Sequence, residues 1–413
     1  MNKFLAKVIL VYGLCYLPAS ASAGVKVTVG GSVHSNWAHT QQSKAFQYQN
    51  PSQYRSSIAE EKLPNNNIAT DAHLRFKISG IADSGIKYGG WILLNANTSW
   101  AKKQTFGHSE EAKGIAEQMM TYLEGGYGRI EIGSYTGVSN AMKVNAATFA
   151  SATGGINGDA QYHWNRRTIT GRGRTATEFL QTPNLPTNEL GTVGIKGINA
   201  AKFNYYTPRF SGFRLGISYI PDSKTYGSAS QAINVIKNGE GFKDIFEAGI
   251  SYAGEIKNVG IKIAAVGEFG KNKDIKRQDL QAWEMGMNVS HRGFVIGGSY
   301  GSWGKYNMLK ANLIVLGRTN YWTVGLGCAQ GPFTTSITYL RGKKMASQLI
   351  GQDNSRPNTL RNTVLGVDYK IAPGLLSYVE FASFKMDEKS PNRQRDRKGN
   401  RGHIFITGIK LSF

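Results

Sequence analysis

The segment GHIFITGIKLSF, residues 402–413, repeats every two residues from its start to its end. One set of alternate positions is largely apolar: Phe405, Thr407, Ile409, Leu411 and Phe413. The positions between them include the small or polar residues Gly408, Lys410 and Ser412. A period of two indicates a β-strand with one apolar face and one polar face. The segment therefore predicts a final strand that ends the chain on an aromatic residue.

The first residues predict a secretory signal peptide over residues 1–23. Lys3 and Lys7 flank the start of a short apolar segment, residues 8–17, and Ala21-Ser22-Ala23 supplies the small residues of a cleavage site. The apolar segment is shorter than the ~20 residues that a membrane-spanning helix needs. We expect the mature chain, residues 24–413, to be exported and to form one barrel domain.

The composition favours many strands and excludes a disulfide-stabilised fold. Cys15 leaves with the signal peptide, so the mature chain keeps only Cys328. Glycine accounts for 50 of the 413 residues, and aromatic residues are plentiful. The mature chain contains no run of 18 apolar residues, which argues against a transmembrane helix. A barrel in lipid needs only every second residue to be apolar, so it accommodates the mean hydropathy of −0.33.

Short alternating segments such as DAHLRFKISGI and GFRLGISYI recur along the whole chain. They are joined alternately by short turns and by long polar loops. The short turns include 83–85, 125–128, 331–332 and 372–374, and the long loops are 40–68, 101–112, 136–201, 220–242, 304–319, 342–361 and 387–401. This alternation is typical of outer-membrane barrels, whose periplasmic turns are short. The predicted fold is all-β, a 16-stranded antiparallel transmembrane β-barrel.

This barrel must be closed because it is surrounded by lipid. In lipid every backbone amide and carbonyl must be paired, so the first and last strands must meet. Aromatic residues near the strand ends are then expected to form girdles at the membrane interfaces. The candidates are Trp37, Trp91, Trp100, Tyr219, Tyr369 and Phe413.

Four segments carry a family resemblance: FNYYTPRFSGFRLGISYIPDS, YGRIEIGSYTG, YWTVGLGCAQGPFTTSITYL and LGVDYKIAPGLLSYVEF. In their order along the chain they resemble strands of the Gram-negative general porins of the alphaproteobacterial type, the trimeric diffusion channels of the outer membrane. The terminal Phe413 is similar to the assembly signal that the barrel insertion machinery reads. The resemblance implies 16 strands, a homotrimer and a third loop folded into the lumen.

The third loop departs from the pattern of the resembled family. Family members often carry several acids on this loop, opposite arginines across the pore. Here residues 136–165 contain a single acid, Asp159, and also Lys143. The resemblance therefore leaves open whether this chain has the charge separation across the pore that the family shows.

Basic residues dominate the predicted lumenal positions of the strands. The facing rule for barrels places small and polar residues inside. The predicted pore-lining residues on strands are Arg75, Lys77, Lys87, Arg129, Arg214 and Lys262, with Lys410 as a further inward residue, and those on the third loop are Lys143 and Asp159. A ring of cations favours the passage of anions. The alternative is that these cations are wall residues paired with Glu124, Glu131 or Glu247.

Two arginine-rich clusters fall in long loops. One holds Arg166, Arg167, Arg172 and Arg174, and the other holds Arg393, Arg395, Arg397, Lys398 and Arg401. The net charge of +22 is larger than the predicted lumenal cations account for, so many cations are expected outside the lumen. The clusters could bind lipopolysaccharide phosphates, funnel anionic solutes, or simply be solvated.

The pattern as a whole predicts a passive outer-membrane channel for small hydrophilic solutes, anionic or neutral, with a preference for anions. The alternatives are a substrate-specific anion channel of the phosphate type and a surface or adhesion barrel; an outer-membrane hydrolase is the weakest. Seven scattered histidines assemble no catalytic triad, and no metal-ligand spacing occurs. We therefore expect no enzyme activity, no metal and no cofactor. No nucleic-acid-binding motif occurs, so the expected partners are lipid, lipopolysaccharide, further copies of the chain and the insertion machinery.

Overall fold

A computed structural model describes residues 24–48, 62–96, 116–165, 180–188, 199–225, 241–306, 308, 310, 318–344, 357–387 and 399–413. Several predictions lie outside these residues: the signal peptide, Trp100 and all of the two arginine-rich clusters except Arg401.

Sixteen strands make up most of the described chain. Their bounds are β1 Lys26–Gln42, β2 Asn66–Ile81, β3 Lys87–Asn95, β4 Ala116–Gly125, β5 Gly128–Ser134, β6 Ala201–Tyr206, β7 Phe213–Asp222, β8 Phe242–Ile256, β9 Val259–Asn272, β10 Leu280–His291, β11 Phe294–Gly304, β12 Thr319–Gln330, β13 Phe333–Lys344, β14 Asn358–Ala372, β15 Leu375–Asp387 and β16 Gly399–Ser412. Each strand pairs antiparallel with its neighbours in the chain, and β1 pairs with β16. The predicted 16-stranded closed barrel is confirmed.

The two ends of the chain close the barrel. The β1–β16 register runs from Ser32 opposite Ser412 to Gln42 opposite Gly402. Beyond it, the Gly31 amide donates to the Phe413 carbonyl at 2.9 Å, and the Phe413 amide donates to the Gly31 carbonyl at 3.1 Å. Even the last residue therefore contributes its backbone groups to the seam, which leaves no open sheet edge.

The two-residue repeat separates an apolar outer face from a polar inner face. On β7 the side chains of Phe213, Leu215, Ile217 and Tyr219 are exposed on the outside. Gly216 and Ser218 alternate with them and are buried inside. An outer face of this kind suits the hydrocarbon interior of a membrane, whereas the inner face suits water.

One predicted girdle residue has the opposite orientation. Trp37, Tyr219, Tyr369 and Phe413 are exposed on the outer face. Trp91 pairs in register with the lumenal Lys77, and its ring lies 5.0 Å from the Arg75 guanidinium, so it faces the lumen. The prediction for Trp91 was wrong because apolar residues follow it at positions 92, 93 and 94, which hides the two-residue repeat.

The connections differ at the two ends of the barrel. At one end all connections are short, and five of them have only two residues: 126–127, 257–258, 292–293, 331–332 and 373–374. In two of these turns both residues have positive φ. Lys257 and Asn258 have φ values of 47° and 65°, and Arg292 and Gly293 have 47° and 85°. Two consecutive residues with positive φ match the right-handed twist of a two-residue hairpin. At the other end most connections are long, as the sequence predicted; the β9–β10 connection, 273–279, is the exception among those described there.

Helical segments are short and concentrate between β5 and β6. They are Lys44–Gln47, α1 Val138–Ala141, Ala146–Phe149, Gly155–Asn157, Asp159–Tyr162 and Pro186–Asn188, of which only α1 is α-helical. Within the described residues, no helix is long and apolar enough to cross a membrane. The connection between β5 and β6, residues 135–200, is called the third loop below.

Candidate functional site

The third loop lies against the inner wall of the barrel. The amide of Val138 donates to Ser218 on β7 at 2.8 Å, and that of Ser151 donates to Ser336 on β13 at 2.7 Å. Further on, Thr40 on β1 donates to the carbonyl of His163 at 2.9 Å. The described part of the loop therefore lies against the wall from β7 through β16 to β1. The inner face of β2 to β5, together with the short-turn ends of β6 and β7, is called the open wall below.

Two adjacent glutamates hold the beginning of the third loop. Glu247 on β8 and Glu268 on β9 face each other in register, and both are buried. Ser139 donates its amide to Glu247 at 2.9 Å and its hydroxyl to Glu268 at 2.8 Å. The amide of Thr187 also donates to Glu268, at 3.1 Å. These carboxylates thus bind the loop rather than the cations of the lumen.

Three further carboxylates hold the rest of the loop. Glu284 on β10 accepts from the Asn145 side chain at 2.9 Å. Asp368 on β14 accepts from the Ala152 amide at 2.8 Å, and Glu380 on β15 accepts the Thr153 hydroxyl at 2.7 Å. Glu284 and Glu380 are fully buried. The acids of this wall therefore lie behind the loop, largely screened from the water of the lumen.

Glycines on five strands make room for the third loop: Gly216, Gly249, Gly286, Gly325 and Gly366. A Cβ at Gly216 would lie 2.6 Å from the sulfur of Met142, and one at Gly366 would lie 2.9 Å from the Ser151 carbonyl oxygen. A Cβ at Gly286 would collide with the carbonyl oxygen of Val144. Part of the high glycine content thus serves to form a shallow groove along the wall.

Three arginines of the open wall rest on aromatic rings. The Arg75 guanidinium lies 5.0 Å from the centre of the Trp91 ring. The corresponding distances are 3.9 Å for Arg129 over Tyr122 and 4.6 Å for Arg214 over Tyr206. In each case the two residues are diagonal neighbours on adjacent strands, a spacing that long and aromatic side chains can bridge. These contacts hold the guanidinium groups at defined positions on the wall.

Four described acids lie on β2 to β5. Asp71 and Glu117 contact His73 at 3.5 Å and 3.2 Å, whereas Glu124 and Glu131 pair with Arg129. Its guanidinium donates to Glu124 at 2.8 Å and to Glu131 at 2.6 Å. Lys87 lies 3.9 Å from Glu124. The alternative interpretation, that wall cations are paired with wall acids, therefore holds for Arg129 and in part for Lys87. Among the described carboxylates, none lies within 4.0 Å of the charged groups of Arg75, Lys77, Arg214 or Lys262.

The described third loop presents little negative charge to the lumen. Asp159 is half-buried against β1, where it pairs with His34 at 3.0 Å and accepts from the Asn36 side chain at 3.4 Å. Burial lowers the pKa of His163 and raises that of Tyr135, so both are neutral at pH 7. Lys143 donates to the side-chain oxygen of Asn184. No described group of three or more His, Cys, Asp or Glu side chains is arranged to hold a metal ion.

Comparison with known proteins places this architecture in a family. A family model for Gram-negative porins matches residues 10–389. The chain belongs to the Gram-negative porin family. This porin is therefore a β-barrel channel of the outer membrane, as its strand pattern predicted.

The porin has relatives in Rickettsia, and solved structures of outer-membrane proteins have a similar fold. The porin is 26% identical over 342 residues to a protein of Rickettsia conorii, an alignment that covers 71% of this chain and 75% of the relative. It is 27% identical over 344 residues to a protein of Rickettsia typhi, with the same coverage. Its fold is similar to that of the anion-selective porin from Comamonas acidovorans, with a TM-score of 0.58, 15% identity and coverage of 94% of this chain and 100% of that one. The trimer form of OmpT from Vibrio cholerae has a TM-score of 0.53, 9% identity and coverage of 94% and 100%.

The fold brings some predicted pore-lining residues of the porin together and separates others. Arg129, Lys143, Arg214 and Lys262 line one cavity of about 730 Å³ between the third loop and the strands β4 to β9. Arg75 and Lys77 lie on β2, outside that cavity, and Lys410 lies on β16. Lys87 is adjacent through Glu124, which lines the cavity. All the strand cations face the lumen, although their role in selectivity stays a prediction.

Two parts of the site were missed in the sequence. Arg209, in the turn between β6 and β7, also lines the cavity, but a turn residue has no facing rule that could place it. The attachment of the third loop to buried wall acids was missed as well. A signal for it exists, since inward positions on β8 to β10 carry both glycine and glutamate, two residues that rarely favour a strand.

Proposed function

We propose that this porin forms a water-filled channel for small hydrophilic solutes and that the channel prefers anions. The observation that carries the proposal is the segregation of charge by the third loop. The acids Glu247, Glu268, Glu284 and Glu380 are buried behind the loop, whereas Arg75, Lys77, Arg214 and Lys262 face open lumen. The lumenal cations of the described strands outnumber the acids that the loop leaves uncovered, Asp71, Glu117, Glu124 and Glu131, so the net charge that a passing ion meets is positive.

Screening sets the conditions under which the preference is visible. At ~0.15 M salt the screening length is about 8 Å, so wall charges reach an ion in a constricted lumen. At 1 M salt the screening length falls to about 3 Å. The preference for chloride over potassium should therefore be marked at low salt and weaker at high salt.

The reversal potential of the purified porin under a potassium chloride gradient tests the proposal. We expect chloride to be more permeant than potassium in the wild type. Replacing Arg75 and Arg129 together by glutamine should shift the reversal potential toward potassium, because two lumenal cations are lost. Arg75→Gln alone should shift the reversal potential in the same direction, because no described carboxylate lies within 4.0 Å of the Arg75 guanidinium.

Arg361→Gln provides a matched control for this measurement. Arg361 is on β14, one residue from the inward Asn362, and is exposed on the outer face. Its replacement removes the same charge without changing the lumen, so the selectivity should stay that of the wild type. The same is expected of Arg393 and Arg395 in their long loop. A wild-type preference for potassium, or an Arg361→Gln effect as large as that of Arg75→Gln, would contradict the proposal.

We also propose that the porin self-associates through the side formed by β1 to β6, as a homotrimer. β5 has 7 residues and β6 has 6, whereas a tilted membrane strand needs about 9–11. On the outer face nearby, the hydroxyls of Ser35 and Thr70 bond to each other at 3.1 Å. Short strands and a polar patch on the outer face are poorly suited to contact with lipid, and a second protomer would cover both.

Heat resistance of the oligomer in detergent tests this arrangement. Thr70→Trp should lower the temperature at which the trimer dissociates, because the new ring cannot fit a packed interface. Thr363→Trp makes the same change on the outer face of β14, on the opposite side, where lipid can accommodate the ring. A wild-type particle with the mass of a monomer, or equal effects of the two substitutions, would contradict the proposed interface.

A further inference from the structure

The cavity between the third loop and strands β4 to β9 has a composition suited to a ligand. Its volume of about 730 Å³ lies within the range of small-molecule sites. It lies near the short-turn end of the barrel, since Gly125 and Gly128, on either side of the β4–β5 turn, and residues 207–209 form part of its lining. A solute that has passed the third loop would therefore meet this cavity next.

Cations outnumber acids in the cavity by five to two. The two acids, Glu124 and Glu131, are both bonded to Arg129, so their charge is already largely compensated. Arg209, Arg214 and Lys262 have no carboxylate partner among the described residues. The cavity thus holds an excess of positive charge that an anionic ligand would neutralise.

Arg209 and Arg214 keep most of their N–H donors available for a ligand. Arg214 donates from Nε to the Thr207 carbonyl at 3.2 Å, and Arg209 donates from one terminal nitrogen to the Gly212 carbonyl at 3.1 Å. Their other N–H groups have no described acceptor. Tyr206, which is 5% exposed, lies under the Arg214 guanidinium and fixes its plane. A fixed guanidinium loses little conformational entropy when it binds an anion.

The chemistry of the lining indicates a phosphate ester. A guanidinium plane can donate two parallel hydrogen bonds to phosphate oxygens, and a nearby ammonium adds a point charge. The cavity is larger than inorganic phosphate requires, and its lining includes Ser251, which has a hydroxyl group, and the aromatic residue Tyr206. These groups suit a hydroxylated body attached to the phosphate.

We propose that the cavity is a retention site for small phosphomonoesters, such as sugar phosphates, held by Arg214, Lys262 and Arg209. The inference rests on the proposed channel function and adds a solute class to it. The site lies beyond the third loop and concentrates phosphorylated solutes on the way through the pore.

Current interruption in planar bilayers tests the site. Glucose 6-phosphate is added to the wild-type porin at low salt, and the frequency and length of current interruptions are measured. We expect interruptions that saturate with concentration, weaker interruptions with inorganic phosphate, and none with glucose. Arg214→Gln with Lys262→Gln should raise the apparent dissociation constant about tenfold or more, because two charge-assisted contacts are lost.

A matched double variant distinguishes the effect of losing the site from the effect of losing lumenal positive charge in general. Lys77→Gln with Lys410→Gln also removes two lumenal cations, but neither lines the cavity. It should raise the apparent dissociation constant by clearly less than the cavity variant does, because charges farther than about 8 Å from the ligand are largely screened at ~0.15 M salt. Equal weakening by both double variants, or block by glucose as strong as by its phosphate, would overturn the site. Equal block by inorganic phosphate would overturn the ester class.

Failure of the channel function is distinguishable from failure of the site. A porin that carries no current would refute the proposed channel. Calorimetric titration of glucose 6-phosphate into the detergent-solubilised porin tests the site without current. Heat that saturates in the wild type and is lost in the Arg214→Gln, Lys262→Gln variant supports it, and absence of such heat in the wild type refutes it.

Discussion

Thr153 donates both its hydroxyl and its amide to the carboxylate of Glu380, at 2.7 Å and 3.1 Å. The two residues are 227 positions apart in the chain, and Glu380 is completely buried. This pair joins the third loop to β15, on the wall opposite the arginines. It illustrates how the loop is held: buried carboxylates of the wall accept hydrogen bonds from the loop, and each leaves lumenal water in doing so.

Glu380→Ala should loosen the third loop without unfolding the barrel. Thr153 would keep two donors with no acceptor, at a cost of about 1–3 kcal/mol for each that stays buried. We expect noisier open-channel current and a higher mean conductance, measured in planar bilayers. Glu255→Ala removes an exposed acid near a short turn and should leave both quantities unchanged. If the open-channel current of Glu380→Ala is no noisier than that of the wild type, other contacts hold the loop in place.

Gly286→Ala should displace the loop by steric conflict alone. The new Cβ would collide with the carbonyl oxygen of Val144, and overpacking of this kind typically costs about 1–3 kcal/mol. Conductance should change while the amount of heat-modifiable oligomer stays near that of the wild type. Gly126→Ala is the control, because a Cβ at that turn position meets no atom within 4 Å. Identical conductance in the two variants would rule out the close contact at Gly286.

Acid should weaken the docking of the loop near His163. Burial lowers the pKa of His163 from its ordinary value of 6.5, although nearby Asp159 opposes this in part. The neutral ring is therefore favoured in the docked loop, and the stability that it contributes is present above pH 6.5. That stability is lost as the pH falls from 6.5 through the lowered pKa, since protonation favours the exposed ring.

The neighbouring Trp164 reports this change. It is buried, with its ring 3.8 Å from that of Phe384 between centroids. Its emission, isolated by comparison with Trp164→Phe, should shift to the red on acidification below pH 6.5. His163→Gln should abolish the shift, because the side chain no longer titrates. Persistence of the full shift in His163→Gln would assign it to another group.

Deletion of Phe413 should impair assembly far more than shortening of the long loop 388–398. Phe413 contributes two backbone hydrogen bonds to the closing seam with Gly31. Its loss leaves one end of β1 unpaired at the edge of the barrel, where an unpaired edge is unfavourable. The surface level of heat-modifiable trimer is the measurement, and Phe413→Tyr, which keeps both the backbone and an aromatic ring, is the control. Equal levels in the deletion and the loop variant would contradict the expectation.

The fold could be predicted because each barrel strand is recognisable from its own short segment of sequence. The two-residue repeat in segments such as 213–219 fixes which side chains face lipid, and lipid forbids an open edge, so strand number and closure follow. The repeat also placed Arg75, Arg129 and Arg214 on the inner face. It failed at Trp91, where apolar residues follow one another and two registers fit the sequence equally well.

The sequence by itself determined the barrel, its closing strand and the inward row of cations. Only the tertiary structure decided which inward charges reach the water of the lumen. Glu380 and Lys262 occupy equivalent inward positions in their strands, yet Glu380 is buried under the third loop and Lys262 faces an open cavity. The physical reason is that a period of two assigns a face but says nothing of what covers it. The cover comes from a loop whose contacts join residues more than a hundred positions apart.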